Sequence, residues 1–433
     1  MMFLRVSILI VNVLALYEGG KGVLQLFGKL PSGNAGFVLT GSFSNPGPFG
    51  GVLAIMIAIL GAFSFGEKSS QRKFDKFMVM ISSVSCFVCL VMLPATMSRA
   101  AWLSLGLASI VFGFREMNLR QWIFNNKVKS VILVIVLLLS ASGFFFLKKD
   151  SAIGRFHIWN MEIRAIAKKP WTGHGRGTVL GVYGETQAEY FAEKQRPEII
   201  SKVAGCPEYA FNEYLKIGVE YGVPAMSGVI AVLGLLIAIL LKFRSPFAYG
   251  LIALCVFSFF SYPLSAVNIQ SSAEKNWRNV RYLVTLGLYE DAVEDLSPMY
   301  DELCGNFRYL YDLGYSLHKT GRFQESNEIL LQGSKMSSDP MFHNIMGKNF
   351  EAMGDLDGAE KEYLLAHFMV PSRIYPLNLL MDMMIRQGRD SEAVEIGEQI
   401  RGMYVNEKVL PMKRMQQECI AKLDSLKKQC VMH

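Results

Sequence analysis

The run FGGVLAIMIAILGAFSF, residues 49–65, carries no charged side chain over 17 positions. A helix that crosses a bilayer needs about 20 apolar residues, with about 17 as the practical lower limit. Six other runs reach or approach this length, so the pattern predicts an all-α protein with a bundle of about seven transmembrane helices. The other runs are residues 3–17, 77–97, 99–114, 128–147, 223–241 and 246–263.

Charge is unevenly distributed along the 433 residues. Hydrophobic residues make up 51% of the chain and charged residues 19%, below the ~25% of a typical soluble domain. Residues 1–147 hold 12 basic and 4 acidic side chains, whereas residues 271–433 hold 19 basic and 24 acidic. This split excludes a single soluble globule. It also excludes a nucleic-acid-binding protein, because no single face collects the basic residues behind the net charge of +7.

Basic residues in three short loops orient the predicted helices. Short loops rich in Lys and Arg lie on the cytoplasmic side, which places residues 18–48 and 148–222 on the outside. With seven spans the tail after residue 264 is also outside. If the runs on either side of Pro94–Ser98 form a single span, the predicted membrane orientation of one half of the protein is reversed relative to the other half. The orienting residues are Lys68, Arg72, Lys73, Lys76, Arg115, Arg120, Lys127, Lys129, Lys242 and Arg244.

A repeat runs through the tail. Gly287, Gly321, Gly354 and Gly388 are separated by 34, 33 and 34 residues, and a small residue follows each glycine by five positions. This period matches the tetratricopeptide pattern of two antiparallel helices per repeat. It predicts four repeats closed by a polar capping helix at 409–433. Such arrays bind proteins or peptides on their concave side, and a passive scaffold is the alternative. His318, His343 and His367 show no metal-ligand spacing and are predicted to lie on helix surfaces.

No motif for nucleotide or metal chemistry is present, and the seven cysteines are scattered. The glycine-rich stretch at 173–177 suits either a phosphate-binding loop or a plain turn. Arg99 and Arg155 each lie close to the predicted outer face of the membrane, and two guanidinium groups there suit a diphosphate. The alternative for Arg99 is an arginine that merely extends to the interface from a helix end.

Five short motifs carry a family resemblance. Over about residues 35–263 the chain resembles the O-antigen ligase and polymerase family of bacterial envelope glycosyltransferases, and the long external loop falls where that family has its periplasmic loop. In chain order the motifs are Gly41-Ser42-Phe43-Ser44-Asn45-Pro46, Ser98-Arg99-Ala100-Ala101-Trp102, Arg155 with Ile158-Trp159, Pro170-Trp171-Thr172-Gly173-His174-Gly175, and Ala210-Phe211-Asn212-Glu213-Tyr214-Leu215 with Glu220-Tyr221-Gly222.

The resemblance implies site residues. Two external arginines would hold the diphosphate of an undecaprenyl-linked glycan, and a loop histidine would activate the acceptor hydroxyl. Phe211 occupies the position where that histidine is expected, so His174 and Glu213 are the available bases. The alternative interpretation is that Asn212 and Glu213 only cap the helix that enters the membrane. The predicted catalytic residues are Arg99, Arg155, His174 and Glu213, and the predicted substrate-binding residues are Arg176, Asn212, Tyr190 and His157.

The predicted function is a metal-independent, inverting transfer of glycan to a lipid or protein acceptor at the outer face of the bacterial inner membrane, without a cofactor. A polymerase of the same family, or a non-catalytic scaffold that recruits envelope proteins through its repeats, are the alternatives. The family usually has ten or more spans, so further N-terminal helices are expected to be missing. The predicted domains are helices 1–5 in 1–147, the periplasmic loop 148–222, two helices in 223–264, and the repeat domain 271–433 in the periplasm.

Overall fold

The computed structural model describes residues 2–34, 36–66, 72–132, 135, 149–194, 196–260, 271–405 and 409–432. Over these ranges the chain is helical and contains no strand, as the sequence predicts. The chain divides into two compact units. Unit 1 comprises Met1–Lys148, Phe211–Ile217 and Val223–Ile269, and unit 2 comprises Lys149–Ala210, Gly218–Gly222 and Gln270–His433.

The α-helices are numbered in chain order. The first five are α1 Met2–Leu26, α2 Pro46–Gly66, α3 Lys73–Met92, α4 Arg99–Glu116 and α5 Leu119–Asn125. The next five are α6 Lys149–Lys168, α7 Val179–Glu193, α8 Glu198–Val203, α9 Glu213–Lys242 and α10 Phe247–Phe260. The tail contains α11 Ser272–Leu286, α12 Tyr289–Leu296, α13 Tyr300–Leu303, α14 Phe307–Lys319, α15 Phe323–Ser334, α16 Met341–Ala352, α17 Leu356–Met369, α18 Tyr375–Arg386, α19 Asp390–Gly402 and α20 Leu410–Met432.

Helix α2 is the centre of unit 1 and packs against α3, α4 and α10. Glycine permits this packing: a Cβ at Gly51 would lie 2.5 Å from the Phe257 ring, and one at Gly250 would lie 2.4 Å from Ile59. The two helices therefore approach closely enough to bury Phe257 completely.

Within the described ranges, four helices are long and apolar enough to cross a membrane: Met2–Leu26, Pro46–Gly66, Lys73–Thr96 and Glu213–Lys242. Helices α4 and α5 meet at a bend of 87°, and together they form a fifth candidate span if the pair is counted as one broken helix. The predicted count of seven is therefore not confirmed. Helix α10 has only 14 residues, and most of the predicted span 128–147 lies outside the described residues.

The tail contains the predicted helix pairs. Helices α11 and α12, α14 and α15, α16 and α17, and α18 and α19 each flank one of the four periodic glycines, and α20 follows them. Each glycine has a φ between 70° and 82°, the left-handed conformation that reverses the chain. The small residues after them, Ala292, Ser326, Ala359 and Ala393, are buried completely between helices.

Several expectations about the loop and the tail are wrong in detail. The sequence of the loop predicts helical pieces at 186–193 and 209–221, but the first is only the second half of α7, which starts at Val179, and the second begins at Glu213. His343 and His367, predicted on helix surfaces, are 7% and 5% exposed. Stacked helix pairs cover more than one face of each helix, and these rings lie on covered faces.

Candidate functional site

The glycine-rich turn at 173–177 is joined to residues 218–222 of α9, which belong with it to unit 2. The His174 amide donates to the Val219 carbonyl at 2.8 Å, and the Gly175 amide donates to the Glu220 carbonyl at 3.0 Å. A Cβ at Gly173 would lie 2.4 Å from the Glu220 backbone, and one at Gly222 would lie 2.6 Å from the Trp171 carbonyl. Both glycines have positive φ, so the two segments meet at a distance that only glycine allows.

The turn orients the His174 ring. Its Nε2 lies 2.9 Å from the Ala165 carbonyl oxygen and therefore donates to it. In the neutral ring the proton is then on Nε2, and Nδ1 carries the lone pair. Among the residues that the structure describes, Nδ1 makes no hydrogen bond. The half-buried ring thus presents a fixed acceptor nitrogen, as a general base requires.

Glu220, which the sequence did not single out as a site residue, supports the same turn. Its carboxylate accepts from the Gly177 amide at 3.1 Å, and the residue is only 6% exposed. Arg176 lies between Gly175 and Gly177 and is exposed. The turn therefore combines an imidazole, a buried carboxylate and an exposed guanidinium within five consecutive loop residues and one helical turn of α9.

His157 lies in a buried polar network instead of an open surface. Its Nε2 is 2.7 Å from Gln187 Oε1, which also accepts from the Tyr183 hydroxyl at 2.5 Å. The Gln187 amide nitrogen donates to the carbonyls of Gly205 and Met369. Burial lowers the pKa of His157, and the bond to Gln187 only partly opposes this effect. A neutral His157 therefore joins α6 to Gln187 of α7, and Gln187 in turn joins α7 to Met369 of the repeat array; the predicted contact of His157 with substrate stays a prediction.

Tyr190 is held between two arginines of the loop. The guanidinium of Arg196 lies 3.6 Å from the ring centroid and that of Arg164 lies 4.9 Å from it. Arg196 also donates two hydrogen bonds to the Tyr190 carbonyl, at 2.9 and 2.7 Å. These contacts fix the ring, and its predicted role in substrate binding is untested.

The two arginines predicted to bind the diphosphate belong to different units. Arg99 begins α4 in unit 1, directly after Ser98, whose hydroxyl accepts from the Ala101 amide at 3.4 Å and caps the helix. Arg155 lies in the first half of α6 in unit 2. Both side chains are half-buried and both interact with neighbouring residues.

Asn212 and Glu213 begin α9 in unit 1. The Asn212 side chain is 1% exposed and accepts from the amides of Tyr214 and Leu215, both at 3.0 Å, which is the capping arrangement. Glu213 lies 3.6 Å from Lys216 in an ion pair on the same helix. Phe211 has a φ of 57°, which is uncommon for a bulky residue. Asn212 thus has a capping role whether or not it also contacts substrate.

Sequence reasoning missed a polar face on α1. Glu18 accepts from the Ser42 amide at 3.0 Å, and Lys21 donates to the Ser42 hydroxyl at 3.1 Å. Gln25 accepts from the Gly41 amide at 2.8 Å. These three residues at positions i, i+3 and i+7 hold the motif at 41–46. The signal was present, because polar side chains at this spacing in an apolar helix share one face.

Comparisons with known proteins bear on this region. Residues 84–230 match the family model described as O-antigen ligase, which confirms the resemblance over that range and leaves the motif at 41–46 outside it. No curated protein matches the chain. A crystal structure of a Podosopora anserina putative kinesin light chain, described as having nearly identical TPR-like repeats, is similar at 14% identity, with a TM-score of 0.29. That similarity covers 38% of this chain and 100% of the other.

Proposed function

We propose that this protein is a membrane-bound glycosyltransferase of the O-antigen ligase type. The observation that carries the proposal is the family match at residues 84–230, which contains Arg99, Arg155, His174 and Glu213. The donor would be a glycan on undecaprenyl diphosphate, and the acceptor a hydroxyl of a lipid or protein. The reaction would take place at the outer face of the inner membrane.

The chemistry assigned to these residues is a single displacement with inversion. The acceptor oxygen forms a bond to the anomeric carbon while the bond from that carbon to the diphosphate oxygen breaks. His174 Nδ1 takes the proton of the acceptor hydroxyl, since Nε2 is held by the Ala165 carbonyl. The diphosphate leaves with the bonding electrons, and Arg99 and Arg155 neutralise its charge.

Glu213 is the second candidate for the base. Its carboxylate is partly exposed and already paired with Lys216, so it is less free to contact an acceptor hydroxyl. The ring of His174 has one nitrogen fixed as a donor and the other open as an acceptor. We therefore assign the base to His174 and treat Glu213 as the alternative.

The packing of unit 2 supports one location for the loop and the repeats. The loop 149–210 and the tail 270–433 fold into the same compact unit. Segments that pack together outside the bilayer lie on one side of it. If the loop is periplasmic, as the charge pattern predicts, the repeat array is periplasmic too.

Surface glycan in a deletion strain tests the proposal. Arg99→Ala and Arg155→Ala are expected to abolish transfer at normal protein level, and Arg120→Ala, an exposed arginine of α5, is the matched control. Glycan of normal length that accumulates on the carrier indicates a ligase, whereas short unpolymerised units indicate a polymerase. Wild-type glycan from both variants rejects the enzymatic proposal and favours the scaffold.

A further inference from the structure

A cleft of about 320 Å³ lies within unit 2, between the loop segment 206–208 and the first helices of the second and third repeats. Its volume is at the lower end of the range for small-molecule sites. The first helix of the second repeat contributes Phe307 and Tyr311, one turn apart and both partly exposed. Phe342 of the third repeat packs edge-on against Tyr311, with ring centroids 5.3 Å apart, and closes the floor.

The charged groups of the cleft are matched in pairs. Arg281 lies 2.9 Å from Asp312, and Arg308 of the repeats lies 2.7 Å from Glu208 of the loop. The third carboxylate, Asp339, lies 3.0 Å from Arg373. The cleft therefore combines aromatic faces with ion pairs whose charges cancel.

We propose that this cleft binds a neutral glycan segment, at a site separate from the arginines assigned to the diphosphate. A sugar hydroxyl donates to a carboxylate and accepts from a guanidinium, so it bonds to an ion pair without separating it. A charged peptide would have to displace one member of a pair and leave the other unmatched. The apolar face of a pyranose ring fits against the exposed rings of Phe307 and Tyr311.

The Tyr311 hydroxyl is the polar group best placed for this ligand. Tyr311 lines the cleft, and within the described ranges its hydroxyl makes no hydrogen bond. The loop contributes Glu208 and Pro207, whose carbonyl accepts from Ser338 of the repeats at 3.1 Å. The site exists only because the loop packs on the array, so it deepens the proposed function by giving the tail a role in holding the glycan chain.

Calorimetric titration of the full chain in detergent tests this proposal. The probes are trisaccharides of glucose, galactose and N-acetylglucosamine, with a hexalysine and a hexaglutamate peptide as charged comparisons. We expect saturable binding of at least one sugar, weakened at least about tenfold in Tyr311→Ala and weakened less in Tyr311→Phe, which keeps the ring but lacks the hydroxyl. Arg308→Gln, at an exposed position, gives a second weakened variant, and Tyr282→Ala, an exposed tyrosine outside the cleft, is the matched control.

The outcomes separate this proposal from the proposed function. No saturable sugar binding up to about 10 mM, equal binding in Tyr311→Ala, or preferential binding of either peptide overturns it. A chain that binds sugar at the cleft but transfers none keeps this inference and rejects the enzymatic proposal. A chain that transfers glycan but binds no sugar at the cleft rejects this inference and keeps the enzymatic proposal.

Discussion

The side-chain amide of Gln187 donates to the carbonyl of Met369, and so joins the middle of α7 to the end of α17 across 182 residues of sequence. Gln187 is completely buried and also bonds to His157, Tyr183 and Gly205. One amide thus satisfies groups from three loop segments and one repeat, and the loop 149–210 and the repeat array share a core.

Replacement of Gln187 by leucine is expected to lower the free energy of unfolding by about 3 kcal/mol, because the buried donors and carbonyls around it lose their partner. Thermal unfolding of the detergent-purified chain measures this loss. Gln324→Leu, at an exposed position of α15, is the control and is expected to stay within about 0.5 kcal/mol of wild type. An unchanged transition in Gln187→Leu contradicts the shared core.

Gly181 tests the close approach of α7 to the array. A Cβ at this position would lie 2.3 Å from the Lys335 carbonyl oxygen, which is backbone and cannot move aside. Alanine normally stabilises a helix relative to glycine by about 0.5–1 kcal/mol, yet here we expect Gly181→Ala to destabilise unit 2 and to speed proteolysis of the loop. Gly184→Ala is expected to be milder, because the nearest atom is the flexible end of Met369.

Acidification is expected to destabilise the repeat array through His367. Burial lowers the pKa of His367 from 6.5 to about 4. Below pH 6.5 His367 binds a proton in the unfolded chain but not in the folded chain. The free energy of unfolding therefore falls as the pH drops from about 6.5 to about 4. The loss is on the order of 2–3 kcal/mol. Thermal scans at a series of pH values measure it.

His367→Leu is the comparison for this pH dependence. This chain lacks the titrating ring, and its stability is expected to change less over the same pH interval. Part of the slope remains, because burial also lowers the pKa of His157. Parallel slopes in the two chains would falsify the assignment to His367.

His174→Gln separates the roles of the two ring nitrogens. The glutamine amide can still donate to the Ala165 carbonyl, but it has no nitrogen that accepts a proton. We expect glycan transfer to fall by about 10²- to 10⁴-fold while thermal stability stays near that of wild type. Glu213→Gln is expected to change transfer less than tenfold; the opposite ranking assigns the base to Glu213.

The sequence predicted the elements that depend on local geometry. Gly321 and Gly354 mark helix ends because a left-handed residue there is a local requirement, and apolar runs mark α2 and α3 because hydropathy is additive along the chain. The first half of α7 was missed for the opposite reason. Gly181 and Gly184 lower the helix propensity of this segment. The reason for glycine at these positions is close packing against Lys335 and Met369, which only the tertiary structure shows.

By itself, the sequence determined that the chain is helical, that apolar helices precede a repeat array, and that about residues 35–263 resemble the O-antigen ligase and polymerase family. Only the tertiary structure decided that the loop 149–210 and the repeats form one unit. It also decided that His174 is fixed through Nε2 and that Glu220 supports its turn. These contacts join residues up to 182 positions apart, and they depend on which helix faces meet, which no local pattern encodes.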